Sequence, residues 1–521
     1  MTFQKITLIL VLLALALLGF GAVIYATHYG IGTSPDSVVY IGTANNLQAG
    51  KGLTLPSGSL SDEPLTQYPP FYPIVLTGFS LLGSEPYQAA RWLAALIFAL
   101  SILLVGFLLY GLLPEARWIS LLGSAGMLLA PAMLEIHVMA WTEPIFILLG
   151  MSSLAVLSVY LNAQKTVWLL LAAILSGLAL LTRYAGAAYV AAGMLGLLLL
   201  LNTTFVKRLL QMLIFAVVSS LPTLAVLVNN RMSAGTATNR TIGFHPVTRS
   251  QLWQGLASIS GWLGMPSGLP TWLYLLFLAA AAGLLLLVLW LVTRNVPSTN
   301  PDNSRQRAIP ELILLLALFG MIYGFFLLVS ITFVDANTPL DNRILAPIYP
   351  ALFIIGCYAI GKVYARKDWA WSVRLSGLVV IGLLLVIYTG RSLPAINNYQ
   401  QNGIGFSSSV WHSSAMLAEV KTLPESVAVY SNLSDAIYLI TGHRAVRLPR
   451  PFELSNQQLN PDFESEIADM GAQMQAGNAV IVFFNQPGRL ENPSEADLTD
   501  RLPLEVVYET NEGKIYQIGN P

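Results

Sequence analysis

The chain has 521 residues, 55% of them hydrophobic and only 10% charged, and its 27 basic and 27 acidic side chains balance to zero. That bias excludes an ordinary soluble globular protein, and the zero balance, with no long basic run, excludes a phosphate-tracking nucleic-acid groove. The single cysteine, Cys357, excludes an intrachain disulfide and a cysteine-based metal cluster.

A helix needs about 20 mainly apolar residues to cross the hydrocarbon core. On that rule the chain predicts about eleven spans, at 6–26, 87–112, 118–134, 142–161, 167–182, 184–201, 208–229, 270–293, 310–332, 343–363 and 373–390. The first reads as a retained span rather than a signal peptide, because it is long, has only Lys5 as an early positive charge and no clean small-x-small site after it. With the amino terminus inside, the inner connections carry Arg117, Lys165, Lys207, Arg208, Arg294, Arg305, Arg307, Lys362, Arg366 and Lys367, as the retention of positive charge in cytoplasmic loops requires. Arg231, Arg240, Arg249 and Arg343 then fall on the outer face against that rule, which points to something anionic there.

After about Arg391 the composition becomes that of a soluble protein. Strand-like runs stand at 426–431, 445–449 and 479–484, a strand pair at 504–518 turns at Asn511-Glu512-Gly513, and Phe463, Ile467, Met470 and Met474 recur at helical spacing. The prediction is a membrane domain over 1–390 and a small extracytoplasmic α/β domain over 391–521, joined by a flexible linker at 397–409.

Ionisable groups at membrane edges are costly, so their positions carry information. They collect on the predicted outer side: Asp36, Asp62 and Glu63, then Glu135, His137 and Glu143, then Arg183, Arg240 and His245, and finally Asp335, Asp341 and Arg343. Residues 36–49 predict a helix along the interface with Asp36 at its start. Two readings of Asp36 follow: a helix N-cap, or a carboxylate that takes a proton from an acceptor hydroxyl. Tyr68 and Tyr72 suit interfacial anchoring or sugar stacking, with Tyr40 and Tyr184 as further pocket candidates. Glu143 before Pro144 suits a first helical turn as well as a second acid, and His137 is a lone histidine with a structural reading and a substrate or metal reading.

The ordered set of Asp36 with Tyr40, Gly50, "YPPFYP" (68–73), "WTEPIF" (141–146), "GLALLTRYAG" (177–186) and "DNRILAPIYP" (341–350) resembles polyprenyl-phosphate-sugar-dependent glycosyltransferases of the GT-C fold. More narrowly it is similar to the family-39-like mannosyl and aminoarabinose transferase group, over about residues 1–363. The resemblance implies Asp36 as catalytic base, although many relatives carry an Asp-Glu pair where this chain reads Pro35-Asp36-Ser37. It implies Glu135 or Glu143 as a second acid, and a lipid-linked donor whose phosphate meets Arg183, Arg343 and Arg240. The implied reaction is an inverting transfer of a monosaccharide to a lipid, glycan or protein hydroxyl at the outer face of the plasma membrane. No separate general acid is required, since phosphate is already a good leaving group; no cofactor is required either, and the acidic cluster leaves room for a divalent metal. A multi-span transporter and a lipid-linked glycan polymerase or ligase are the alternative functions.

Overall fold

In the computed structural model, residues 3–294, 309–452, 458–485 and 492–519 are described; the predicted inner loop 295–308, with Arg305 and Arg307, lies outside them. Apolar stretches form α1 (Phe3–Ala26), the short α2 (Pro35–Gln48) and α3 (Phe71–Ser80), and the long α4 (Pro86–Leu112). Next come α5 (Ile119–Leu129) and α6 (Pro131–His137), then α7 (Glu143–Ala163), α8 (Thr166–Thr182), α9 (Ala187–Leu200) and α10 (Phe205–Ala234). The bundle is completed by α11 (Arg249–Trp262), α12 (Thr271–Arg294), α13 (Glu311–Phe333), the one-turn α14 (Asn342–Leu345), α15 (Ile348–Ala365) and α16 (Trp371–Asn402).

Among the described residues, eight helices are long and apolar enough to span a membrane, or nine with the bent pair α5 and α6 counted as one span. The expected count of eleven is therefore not met by length alone. The stretches predicted at 167–182 and 184–201 are helices of 17 residues or fewer, about 26 Å long at 1.5 Å per residue, short of the hydrocarbon thickness. The stretch predicted at 118–134 is broken by 57° because Pro131 has no N–H to continue the ladder. The carbonyl of Leu129 freed at that break accepts a hydrogen bond from Ser392 Oγ at 2.7 Å, which keeps a bare carbonyl out of an apolar setting.

Helix packing follows from small residues. A Cβ on Gly177 would stand 2.8 Å from the backbone oxygen of Ser219, so only glycine lets α8 and α10 come this close. Between α7, α9 and α13, Tyr189 stacks on Phe319 at 3.9 Å and meets the edge of Phe146 at 5.2 Å. Such pairs add about 0.5–1.5 kcal/mol each beyond the area they bury. Leu17, Leu18, Leu284 and Phe325 stay exposed on the outside of the bundle, as side chains that face lipid do.

Beyond the bundle come α17 (Ser409–His412), α18 (Ala415–Val420), β1 (Ala428–Ser431), α19 (Ser434–Thr441), β2 (Ala445–Arg447), α20 (Phe463–Gln475), β3 (Ala479–Phe484), α21 (Glu495–Thr499), β4 (Leu504–Thr510) and β5 (Gly513–Ile518). The sheet order is β2-β1-β3-β5-β4, with β2, β1 and β3 parallel and β5 and β4 antiparallel. Every strand and the helix read from the periodicity are present. The linker is not as expected: α16 continues to Asn402, and the residues after it are hydrogen-bonded to the segment that precedes α2.

Candidate active site

Asp36 stands in the first turn of α2 but does not cap it. The N-cap is Ser34, whose backbone N–H donates to Ser37 Oγ at 3.1 Å, and Pro35 occupies the first helical position. The N-cap reading of Asp36 is therefore corrected, and its carboxylate is free to point elsewhere. Its Oδ1 accepts from the Tyr68 hydroxyl at 2.7 Å and its Oδ2 accepts from Arg343 Nη2 at 2.6 Å.

Arg343 lies on α14, a separate turn before α15, with Asp341 capping that turn through a 3.0 Å bond from Ile344 N–H. Its Nε donates to Glu143 Oε1 at 2.7 Å, and its guanidinium rests 4.2 Å from the ring centroid of Trp141. Arg183, the residue that ends α8, places Nη1 2.7 Å from the same Glu143 oxygen and donates to Thr142 Oγ1 at 2.8 Å. Glu143 is thus shared by two guanidinium groups, and its Oε2 has no hydrogen-bond partner among the described residues.

Burial separates the two acids. The Glu143 side chain is 1% exposed and the Asp36 side chain 27%, so Glu143 holds the arginines while Asp36 is reachable from the cavity. Burial on its own would raise the Asp36 carboxyl. The Arg343 guanidinium and the Tyr68 hydroxyl outweigh it and hold the group below its ordinary value. Tyr68 is pushed up by burial and by the Asp36 carboxylate, so it keeps its proton and remains a donor.

Asp36, Tyr68, Arg183 and Arg343 line a cavity of about 280 Å³ that also takes in Tyr40, Gln67, Tyr184, Arg240, Tyr323 and Asp335, with Glu143 behind its wall. Arg240 reaches it from the segment between α10 and α11 and is paired with Asp335 at 3.6 Å, the longest ion pair of the site. Tyr40 is buried and meets Tyr68 and Tyr72 edge-on at 5.2 and 5.5 Å, so Tyr72 supports the wall without lining it. Tyr184 donates to the carbonyl of Thr66 at 3.3 Å, tying the end of α8 to the first loop.

With this geometry in place, residues 57–229, about a third of the chain, match the model of the dolichyl-phosphate-mannose-protein mannosyltransferases. ArnT from Cupriavidus metallidurans in the apo state is similar with a TM-score of 0.60 and 15% identity, covering 98% of each chain. The chain has the GT-C fold. ArnT from the same organism bound to undecaprenyl phosphate is similar at a TM-score of 0.56 and 13% identity, over 98% of this chain and 97% of that one. AglB, an oligosaccharyltransferase from Archaeoglobus fulgidus in complex with an inhibitory peptide and a dolichol-phosphate, gives 0.51 and 12% over 93% and 70%. No curated protein matches the sequence.

Two of the candidate residues are not brought to the cluster. Glu135 sits on α6 beside Asn342 and Asp341, and the stretch expected to be a loop at 135–141 is helical through His137. His137 is fully buried against Phe98 at 4.5 Å, its Nδ1 2.6 Å from the carbonyl of Met133. Among the described residues no three His, Cys, Asp or Glu side chains converge as a metal site; Asp36 and Glu143 face guanidinium groups instead. Sequence reasoning passed over Trp141, Thr142 and Tyr323. The first two stand inside the quoted "WTEPIF", so the motif signalled them, whereas nothing in the apolar run around Tyr323 marks it as a cavity residue.

Proposed function

We propose that the protein transfers a single monosaccharide from a polyprenyl-phosphate donor to an acceptor hydroxyl, with inversion at the anomeric carbon, on the extracytoplasmic face of the plasma membrane. The observation that carries this is the direct contact of Asp36 with Arg343, 2.6 Å, in a cavity that Arg183 and Arg240 also line. A proton acceptor and fixed positive charge side by side are what displacement of a phosphate by a hydroxyl needs.

In the step proposed, the acceptor oxygen forms its bond to the anomeric carbon and gives its proton to Asp36, while the bond from that carbon to the phosphate oxygen breaks. The departing polyprenyl phosphate is met by guanidinium groups, which bind such oxygens in pairs and never lose their charge. The scheme uses no cofactor, and the arginines supply the charge that a divalent metal supplies elsewhere. Arg183 and Arg343 are already held at 2.7 Å or less by acids. Arg240, held only at 3.6 Å by Asp335, is the arginine we expect to turn toward the incoming phosphate.

A cavity of about 280 Å³ falls just below the usual range of ligand pockets, about 300–1,000 Å³, which favours one sugar over a glycan chain. The undecaprenyl phosphate and dolichol-phosphate held by the similar structures support a polyprenyl carrier. The positive charge at Arg117, Lys165, Lys207 and Lys362 supports the side assigned to the site and the C-terminal domain. The acceptor is a lipid, glycan or protein hydroxyl.

The test is a panel of radiolabelled polyprenyl-phosphate sugars given to the purified, detergent-solubilised protein with lipid, glycan and protein acceptor extracts. Transfer from one donor supports the reading; intact donors across the whole panel overturn it. Removing the ring beneath Arg343 is a milder perturbation. Trp141→Leu is expected to weaken donor binding by about 1–2 kcal/mol, read as a rise in donor KM larger than the fall in kcat.

A further inference from the structure

The backbone that leads into Asp36 is gripped from two sides. Gly32 bridges Met139 and Thr33 bridges Gly405, both in parallel, so residues 32–33 are the middle of a three-chain strip. On one side Gly32 N–H donates to the carbonyl of Val138 and Ala140 N–H to the carbonyl of Gly32, each at 2.8 Å; on the other Phe406 N–H donates to the carbonyl of Thr33 at 3.0 Å. One edge of the strip runs on to Trp141 and Glu143, and the other is the segment between α16 and the C-terminal domain.

Two residues of that segment fit nothing but this contact. Gly405 has φ +59, and a Cβ there would stand 1.9 Å from the backbone oxygen of Thr33, so the approach is open to glycine alone. Ser407 is 2% exposed. Its hydroxyl donates to the carbonyl of Ile31 at 2.7 Å, lies 2.9 Å from Thr33 Oγ1 and accepts from Tyr87 at 2.8 Å. All of its hydrogen-bonding capacity is spent on the approach to α2 and its support.

The C-terminal domain holds the far side of the same helix. Tyr438 of α19 packs against Gly42 of α2, Ser57 Oγ donates to Asp435 Oδ1 at 3.2 Å, and Gly58 N–H donates to the carbonyl of Ala445 at 2.9 Å, bridging the first loop to the β2 edge of the sheet.

We propose that Gly405 and Ser407 are positioning residues for Asp36, so that the segment between α16 and the C-terminal domain is a working part of the catalytic centre and not a mere connection. This rests on the reading of Asp36 as the proton acceptor. Groups facing Asp36 are Tyr40 from its own helix, Tyr68 from the first loop, Arg183 from the end of α8 and Arg343 from α14, with Glu143 of α7 on the other side of the two arginines. A displacement of residues 31–36 loosens the carboxylate from Arg343 and Tyr68 and leaves burial unopposed, which moves its protonation upward in pH.

The experiment uses the full chain, the donor selected by the panel, and Ser407→Ala, Ser407→Thr, Thr33→Val and Asp36→Asn beside wild type. Ser407→Ala is expected to lower kcat about ten-fold or more, leave donor KM unchanged and raise the acid limb of kcat/KM. Thr33→Val, which removes the Thr33–Ser407 bond from the other side, acts in the same direction, and Ser407→Thr recovers both kcat and the limb. If Asp36→Asn abolishes transfer while Ser407→Ala keeps wild-type kcat and limb, the positioning role is overturned. A loss in Ser407→Ala that leaves the limb unmoved and is not recovered by threonine is a general packing defect and overturns it equally. Full activity in Asp36→Asn removes the underlying reading, which is a different result from either.

Discussion

Asp36→Asn is expected to lower the rate of transfer by about 10²- to 10⁴-fold, the range a positioned general base contributes, without loss of fold. The amide matches the carboxylate in shape and its oxygen still accepts from Tyr68, so the wall formed with Tyr40 stays in place. What is lost is the charge that draws the acceptor proton. Donor binding is expected to hold or tighten in the same variant, because Arg343, now opposed by Glu143 alone, has more of its field available to a phosphate. Labelled transfer at saturating donor with matched amounts of protein measures the first effect, and the donor KM the second. A loss below about ten-fold removes Asp36 from the role, since a smaller effect lies under the range for general-base catalysis.

The acid limb of wild type follows from the same contacts. Burial raises the Asp36 carboxyl, but Arg343 and Tyr68 hold it below its ordinary value, which is about 3.9 for a free aspartate. The stability that the Arg343 pair contributes is present above the unfolded value, about pH 4, and is lost as pH falls through the lower folded value. The carboxylate is accordingly ionised across the neutral and mildly acidic range. In the proposed step such a group is a weak base at rest, and it would take the proton as the bond to the anomeric carbon forms rather than before.

Glu143→Ala is expected to destabilise the protein by about 3–5 kcal/mol, the cost of leaving buried charge without its partner. The side chain is 1% exposed and a single oxygen serves Arg183 and Arg343 at 2.7 Å each. Its removal leaves two guanidinium groups facing each other with only Asp36 to offset them. Glu143→Gln keeps the shape and one acceptor and is expected to fall between wild type and alanine. The midpoint of thermal unfolding in detergent, followed by fluorescence-detected size exclusion, measures the series. A midpoint for Glu143→Ala equal to that of wild type is incompatible with Glu143 as the hub of the cluster.

Much of the architecture was legible because long apolar runs have one stable outcome in a bilayer, a helix with its backbone bonds satisfied internally. The strands at 428–431 and 479–484 were legible as short, nearly continuous apolar runs, because both faces of each are buried in the sheet. The break at Pro131 and the shortness of α8 were not, since a window of hydropathy is blind to where the backbone bends. Residues 397–409 read as a linker from their Asn, Gln, Gly and Ser content, yet α16 runs on to Asn402 and Ser407 is buried, because partners 370 residues away supply their hydrogen bonds.

By itself the sequence determined the polytopic bundle, the C-terminal sheet, and the gathering of acids and arginines toward one end, since each depends on local composition and period. It left Asp36 divided between cap and base, and Glu143 level with Glu135. Only the tertiary structure shows where these side chains stand. Ser34 takes the cap and releases Asp36 to Arg343, and the bend between α5 and α6 turns Glu135 toward Asn342 while the first turn of α7 sends Glu143 inward between two guanidinium groups. The physical reason is that a buried charge is fixed by what neutralises it, and those partners come from chain segments up to some 300 residues apart.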